Sequence, residues 1–189
     1  MPPSGTRSLL LESAIEYMAV SGPAVNFDAI AAEAGFTKGA LYHHFGSVEG
    51  LVVEVFKDAV RRHSGRVISA SASGTGRERL RGLVDSSAAL YGSATPFYRL
   101  LLRLHVEAGL SRPALAPIAK KVQRRQRDYM TELVRIGQDD GSIRGDIDPI
   151  ALGEMVNATL QGLLVQQLEP QKAQFRAALR FSSLLEELL

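Results

Sequence analysis

The chain has 189 residues, 46% of them hydrophobic and 22% charged, and its 22 Lys and Arg against 20 Asp and Glu leave a net charge of +2. Such a composition supports a packed core and argues against disorder, while a charge so near balance points to no partner by itself. Cysteine is absent, which excludes disulfides, thiolate metal sites and cysteine nucleophiles and suits a reducing compartment.

No apolar run approaches the length of a membrane span. The start, "MPPSGTRSLLLESAIEYM", carries Glu12 and Glu16 in its apolar stretch and lacks the basic-then-apolar layout of a secretory signal. The expectation is a soluble, cytoplasmic chain with no membrane partner. Glycine and proline fall between stretches of helical period, and nothing alternates like a strand, so the expected class is all-α.

A first helix is expected over 8–20, with Leu10, Leu11, Ala14, Ile15, Met18 and Ala19 recurring at three and four. "SGPAV" stops it. Asn26 suits the N-cap of a short second helix with Ile30, Ala31 and Ala34 inward, and Gly35 suits its left-handed C-terminal end. Thr37 is placed to cap a third helix running through Phe45. Ser47 caps a fourth, with Glu49 in its first turn and Leu51, Val52, Val55, Phe56 and Val60 on one side. "SGRVISASASGTG", at about 64–76, is small and polar and marks a boundary. Five longer helices are expected beyond it, at about 77–92, 96–110, 113–140, 148–168 and 171–188. Pro96, Pro113, Pro149 and Pro170 each sit near a helix start.

The second and third helices, joined by "AGFT", have the dimensions of a helix-turn-helix. At about 100° per residue, Leu41 and Phe45 of "TKGALYHHF" point inward, Gly39, Ala40 and His43 outward, and Lys38 and Tyr42 to the flanks. Small residues at the start of such a helix let it approach a groove, and its N-terminal N–H groups can meet a phosphate. Lys38 and Tyr42 can hold phosphates, and His43 can reach a base edge or another phosphate. His43 and His44 diverge by about 100° and have no third ligand nearby, so no metal site is expected. His44 lies nearer the inward face. Residues 1–66 carry six basic against seven acidic groups, net −1, so DNA binding there must rest on where the charges sit.

Residues 6–56 resemble the N-terminal domain of the tetracycline-repressor (TetR-like) family of bacterial transcription regulators. "TRSLLLESAIEYMAVSG" is followed by "VNFDAIAAEAGFTKGALYHHFGSVEGLVVEVF", so the likeness spans some fifty residues and not one motif. It implies a three-helix DNA-binding domain whose third helix enters the major groove. It places Thr37, Lys38, Gly39, Ala40, Tyr42, His43 and His44 at DNA, with Arg7 and Asn26 near the backbone. Family members often carry a lysine where this chain has Val48, and often a threonine where it has Ala40. One phosphate contact is therefore expected to be missing, and the salt slope to be shallow, since each neutralised phosphate adds about 0.9 to it.

In the remainder no catalytic constellation stands out, and the chain is not read as an enzyme. His105 and Glu107 point to different helix faces, and "SASASGTG" lacks the lysine of a phosphate loop. The run "KKVQRRQRDY" reads as a solvated face that could also steer an anion. The resemblance implies a helical effector-binding and dimerisation domain. It is carried here mainly by "DDGSIRGDIDPIALGEMVNATLQGLLVQQLE". Periodicity makes the penultimate helix apolar on two sides, hence buried on two sides, and the last helix similar. Paired across a two-fold axis they would form a four-helix bundle. Leu152, Met155, Val156, Thr159, Gly162, Leu163, Phe175, Leu179, Ser182 and Leu185 are the expected interface. A pocket for a small hydrophobic or amphipathic effector is expected around Leu83, Ser87, Tyr91, Leu101, His105, Tyr129, Leu133, Asn157 and Gln161.

The expected protein thus has a helix-turn-helix DNA-binding domain at 1–64 and a larger helical effector-binding and dimerisation domain at 65–189. It needs no cofactor or metal. Its partners are double-stranded DNA carrying a palindromic operator, a second copy of itself and a small-molecule effector. Its expected role is that of a transcriptional regulator, a repressor released by that effector. The alternatives are a DNA-binding regulator without an effector, and a helical binding protein or enzyme that no longer binds DNA.

Overall fold

The computed structural model describes residues 4–22, 25–93 and 95–165, together with 180, 181, 183, 185 and 187. The described residues are helical, with no strand among them: α1 (Ser4–Ser21), α2 (Phe27–Glu33), α3 (Lys38–Phe45), α4 (Val48–Ala70), α5 (Gly76–Gly92), α6 (Pro96–Leu110), a 3-10 turn (Pro113–Leu115), α7 (Ala116–Asp139) and α8 (Pro149–Val165). None of these helices is long and apolar enough to cross a membrane. Most of the expected helix at 171–188 lies outside the described residues, and with it Phe175, Leu179 and Ser182; Leu185 is described and buried.

Packing divides the chain into two compact units, one of residues 1–61 with 96–119 and one of 62–95 with 120–189. In the first, α2 packs on α1 and α3, and α6 packs on α1 and on the 3-10 turn. Leu10, Ala14 and Met18 of α1 meet a core that includes Ile30, Leu41, Val52 and Phe56, all almost fully buried. Each buried Leu or Phe contributes about 1.5–3 kcal/mol. Tyr98, Leu102, Leu104 and Leu115 are equally buried, which is why α6 and the turn belong with the first helices and not with their neighbours in sequence.

The second unit is built around α5, α7 and α8, with the end of α4. Leu80, Leu83 and Val84 of α5 and Leu133 and Val134 of α7 are buried, as are Leu152, Val156 and Leu160 of α8. At Gly153 a Cβ would come within 2.6 Å of Thr131 Oγ1 and 2.9 Å of its backbone N, so a side chain there would hold the two helices apart. The loop after α7 closes the start of α5. Asp140 Oδ2 accepts from Gly76 N at 2.7 Å, and Ser142 Oγ from Arg77 N at 3.1 Å. Ser142 and Gly76 hold the Asp140 carboxyl below its ordinary range. Thr75 adds a capping box with Glu78.

Three element boundaries differ from expectation, the first being α1, which begins at Ser4 and not near residue 8. α4 does not stop near residue 64 but runs to Ala70. Val67 is buried, and that contact outweighs the weak helix preference of the Ser and Gly around it. The helix ends where Ser71 Oγ turns back to the carbonyls of Val67 and Ile68, both at 3.2 Å. The stretch at 113–140 begins as a 3-10 turn and becomes α-helical only at Ala116.

Candidate nucleic-acid interface

Capping fixes where α2 and α3 begin and end. Asn26 is extended, and its Oδ1 accepts from Asp28 N at 2.9 Å and Ala29 N at 3.2 Å. At the other end of α2 Gly35 takes φ +71°. Gly35 N donates to Ala32 O, and Phe36 N to Ala31 O at 2.8 Å. This is a Schellman ending, which turns the chain sharply enough to start a second helix at once. Thr37 Oγ1 then accepts from Ala40 N at 3.3 Å. Leu41 and Phe45 are buried, and Gly46, at φ +73°, closes α3 by donating to Tyr42 O.

The outward face of α3 matches the sequence reading at Gly39 and His43, but Ala40, expected outward, is only partly exposed. Thr37, Lys38, Gly39, Tyr42 and His43 are exposed, while Ala40 and His44 are half-buried. A Cβ on Gly39 would meet only Thr37 Oγ1, at 3.6 Å, an ordinary contact. The chain's own packing therefore does not require glycine there. Tyr42 is 45% exposed although its ring leans on Phe27, the centroids 4.9 Å apart. The His43 and His44 rings lie 5.2 Å apart edge to face, and His44 continues to Phe45 at 6.4 Å. Among the described residues no group of three or more His, Asp or Glu could hold a metal ion.

Three expected DNA contacts are engaged within the protein. Lys38 Nζ is 2.8 Å from Asp28 Oδ2, and the hydrogen bond and charge of Asp28 raise the lysine above its ordinary pKa. Arg7 pairs with Glu54 and lies over the Phe45 ring, 5.3 Å from its centroid. Glu54 also takes Lys57; the hydrogen bond from Lys57, and after it that from Arg7, hold its carboxyl below the ordinary range against the effect of burial. Asn26 uses Oδ1 in the cap. Sequence reading missed Asp28 and Glu54 as partners. They lie ten and 47 residues from the cations they hold, and no local pattern signals such a pairing.

Of the nine residues expected around an effector, Leu101 and His105 belong to the first unit and the other seven to the second. His105 packs edge-on against Phe56, 6.3 Å between centroids, and burial lowers its pKa. In the second unit Leu83, Ser87, Tyr91, Leu133 and Asn157 are buried, while Tyr129 and Gln161 are half-buried. Tyr91 OH and His63 Nε2 are 3.1 Å apart with their rings stacked, and Tyr129 OH meets Ser71 Oγ at 2.9 Å. His63, which the sequence reading did not single out, is pushed down to about 4, first by burial and then by the charge of Arg66. An open groove of about 400 Å³ between α7 and α8, lined by residues such as Arg127, Thr131 and Glu154, contains none of the nine.

α8 separates its two apolar sides. Leu152, Val156, Leu160, Leu163 and Leu164 are buried within the chain, with Thr159 half-buried, whereas Ala151, Met155, Ala158, Gly162 and Val165 are exposed. Of the expected interface residues on this helix, Met155, Thr159 and Gly162 are therefore the more accessible.

Two short helices joined by a glycine turn, the second presenting a small and polar outward face, define a helix-turn-helix DNA-binding protein. The comparisons with known proteins agree. Residues 10–55 match the bacterial regulatory proteins of the tetR family, and residues 76–188 match the C-terminal domain of BetI-type transcriptional repressors. The chain belongs to the tetR family of bacterial regulatory proteins, and it is a DNA-binding transcriptional regulator. It is 29% identical over 157 residues to the HTH-type transcriptional repressor KstR2 of Rhodococcus jostii, a match covering 77% of this chain and 71% of that one. Its fold is that of a TetR transcriptional regulator from Chloroflexus aurantiacus (TM-score 0.81, 23% identity, 95% and 93% of the two chains). It is also that of a Saccharomonospora viridis protein assigned as a transcriptional regulator and solved with choline (TM-score 0.79, 22% identity, 97% and 95%). The family is one of regulators and not of enzymes.

Proposed function

We propose that the protein is a homodimeric repressor acting in the cytoplasm, which reads a palindromic operator with two copies of α3 and is released by a small effector. The observation that carries this reading is the outward face of α3. Gly39, which the chain's own packing does not require, leaves room for a groove beside Ala40, and the exposed Lys38 and Tyr42 flank them. The reading head is residues 1–64; effector binding and pairing fall to 65–189. Thr37, Lys38, Gly39, Ala40, Tyr42, His43 and His44 face DNA, with Arg7 and Asn26 at the backbone. Pairing uses the exposed side of α8 together with the last helix, because an apolar face left in water favours association.

The buried polar residues described in the second unit are His63, Ser71, Ser87, Thr131 and Asn157. With His63 pushed down to about 4, this set is uncharged at neutral pH. That supports an uncharged or weakly polar effector, held by hydrogen bonds in an apolar surrounding. The choline bound by the Saccharomonospora viridis protein supports the broader idea that this fold accepts small organic molecules. The effector acts only through a difference in its affinity for the DNA-binding and released states.

The test is selection of bound duplexes from a random pool at low and moderate salt, with Tyr42→Ala and His43→Ala in parallel. A palindromic motif weakened by both substitutions is the expected result. No motif, or equal binding by the substituted proteins, would remove α3 as the reading element.

A further inference from the structure

We propose that Arg112 is a positioning residue for DNA recognition: a forked strut that fixes the α3–α4 junction, and so the angle at which α3 meets the groove. The inference rests on the reading of DNA by α3.

The strut can be followed atom by atom within the first unit. Arg112 Nε donates to Glu107 Oε2 at 2.7 Å, and Nη1 donates to Glu49 Oε2 at 2.7 Å. Its base is held by backbone. Arg112 N donates to Glu107 O at 2.8 Å, and Arg112 O accepts from Leu115 N at 3.0 Å, Leu115 being fully buried. The guanidinium thus projects from a fixed platform at the end of α6. At its far end Glu49 sits in the first turn of α4, which Ser47 caps through Gly50 N at 3.0 Å. A Cβ on Gly50 would lie 2.1 Å from Phe45 O, so the backbones of α3 and α4 touch where no side chain can stand. Whatever holds the first turn of α4 therefore holds the last residue of α3.

A surface ion pair contributes little, and the median is about 0–1 kcal/mol. This fork differs in three respects. The Arg112 and Glu107 side chains are only 20% and 17% exposed, although Glu49 is 42% exposed. A planar guanidinium holds two carboxylates in a fixed fork, whereas the single ammonium of a lysine imposes no such geometry. Without Arg112, Glu49 and Glu107 would face each other as like charges.

Coulomb's law and the strut predict opposite signs for Glu49→Gln. Glu49 is an anion in a segment that binds a polyanion, so its removal should tighten DNA binding if charge is all that matters, and most at low salt. If the strut positions α3, its removal weakens binding at every salt concentration and leaves the salt slope unchanged, because no phosphate contact is lost.

The experiment measures operator affinity against salt, with melting temperature, for the full-length wild type, Glu49→Gln, Glu107→Gln, Arg112→Lys, Arg112→Met, the double variant Glu49→Gln/Arg112→Met, and Tyr42→Ala as the contact control. The expected result is binding weakened about tenfold by Arg112→Met and nearly as much by Arg112→Lys. Glu49→Gln should weaken it severalfold, the double variant should be no worse than Arg112→Met alone, and all slopes should stay parallel to wild type. Tighter binding by Glu49→Gln would overturn the proposal. So would a slope reduced by about 0.9 in Arg112→Met, which would make Arg112 a phosphate contact. Lower melting temperatures with unchanged affinity would overturn it too, leaving the fork a stabilising contact only. If Tyr42→Ala binds like wild type as well, the reading by α3 has failed, and the strut with it. If Tyr42→Ala alone is weakened, only the strut has failed.

Discussion

α3 and α8 each bury one face and leave the other in solvent, and the two exposed faces are made of opposite chemistry. On α3 the outward residues are small or polar and flanked by Lys38 and Tyr42. On α8 they are Ala151, Met155, Ala158, Gly162 and Val165. The inward faces look alike: Leu41 and Phe45 on one helix, Leu152, Val156 and Leu160 on the other, all at 8% exposure or less. Inward faces report the fold, whereas outward faces that the fold does not need report partners. A polar, small face with a cation suits a polyanion, and an apolar one suits a second copy of the chain.

Placing the same charge on the two faces of α8 breaks this comparison most sharply. Val156→Asp buries an unpaired carboxylate and should cost several kcal/mol, enough to leave little folded protein. Met155→Asp, one residue earlier, should keep the helical circular dichroism of the wild type while raising the dimer dissociation constant at least about a hundredfold. Light scattering after gel filtration reads the second effect. A folded dimer of Met155→Asp would mean that pairing lies elsewhere.

The histidines divide in a similar way, with His43 exposed on α3 and His63 6% exposed in the second unit. His63 is held at about 4 when folded, from an ordinary 6.5. Between these values the unfolded chain binds the extra proton, so stability is fully present above pH 6.5, falls as pH drops towards 4 and levels below that. The difference amounts to about 3 kcal/mol. Melting curves from pH 7 to 4 should show that loss. His63→Phe should flatten much of it, and a curve unchanged by the substitution would assign the pH dependence to other groups.

Gly39→Ala separates folding from reading at a single atom. Its Cβ would meet only Thr37 Oγ1 at 3.6 Å. Replacing a helical glycine with alanine stabilises by up to about 1 kcal/mol. The same methyl would stand between α3 and the groove. The expected outcome is a higher melting temperature together with operator binding weakened about tenfold, a difference of about 1.4 kcal/mol. If both rise, the face of α3 at Gly39 does not approach DNA.

What could be read from the chain follows the range of the interaction. Asn26, Gly35 and Thr37 act on backbone groups within a few residues, so their caps were visible in the sequence, as was the inward stripe of Leu41 and Phe45. The end of α4 was not, because a buried Val67 overrides the linker-like composition around it. Pairings such as Arg112 with Glu49, 63 residues apart, leave no local trace, and neither does the need for glycine at position 50 beneath Phe45. Periodicity showed that α8 has two apolar sides but not which of them its own chain would fill. Leu83, Ser87 and Leu133, expected around an effector, are buried, which is a statement about packing and not about a ligand.

The smallest expected effect concerns the charge on the flank of α3. Lys38 is 2.8 Å from Asp28, so in the free protein its charge is partly answered before any phosphate arrives. If α3 reads DNA as proposed, DNA competes with Asp28 for it, and an acid beside the groove also repels the backbone. Asp28→Asn removes both obstacles and keeps the shape. It also takes a carboxylate from the first turn of α2, where the helix dipole favours one, so a slight drop in melting temperature should accompany the gain. Operator binding should tighten about twofold to threefold at low salt, with the salt slope steepening by up to about 0.9 as Lys38 becomes a full phosphate contact. The gain should shrink at high salt, where exposed charges are screened. Lys38→Gln in the same background should remove it. If Asp28→Asn tightens binding equally in the presence and absence of Lys38, the aspartate acts by repelling DNA directly, and Lys38 is a bystander at the edge of the reading face.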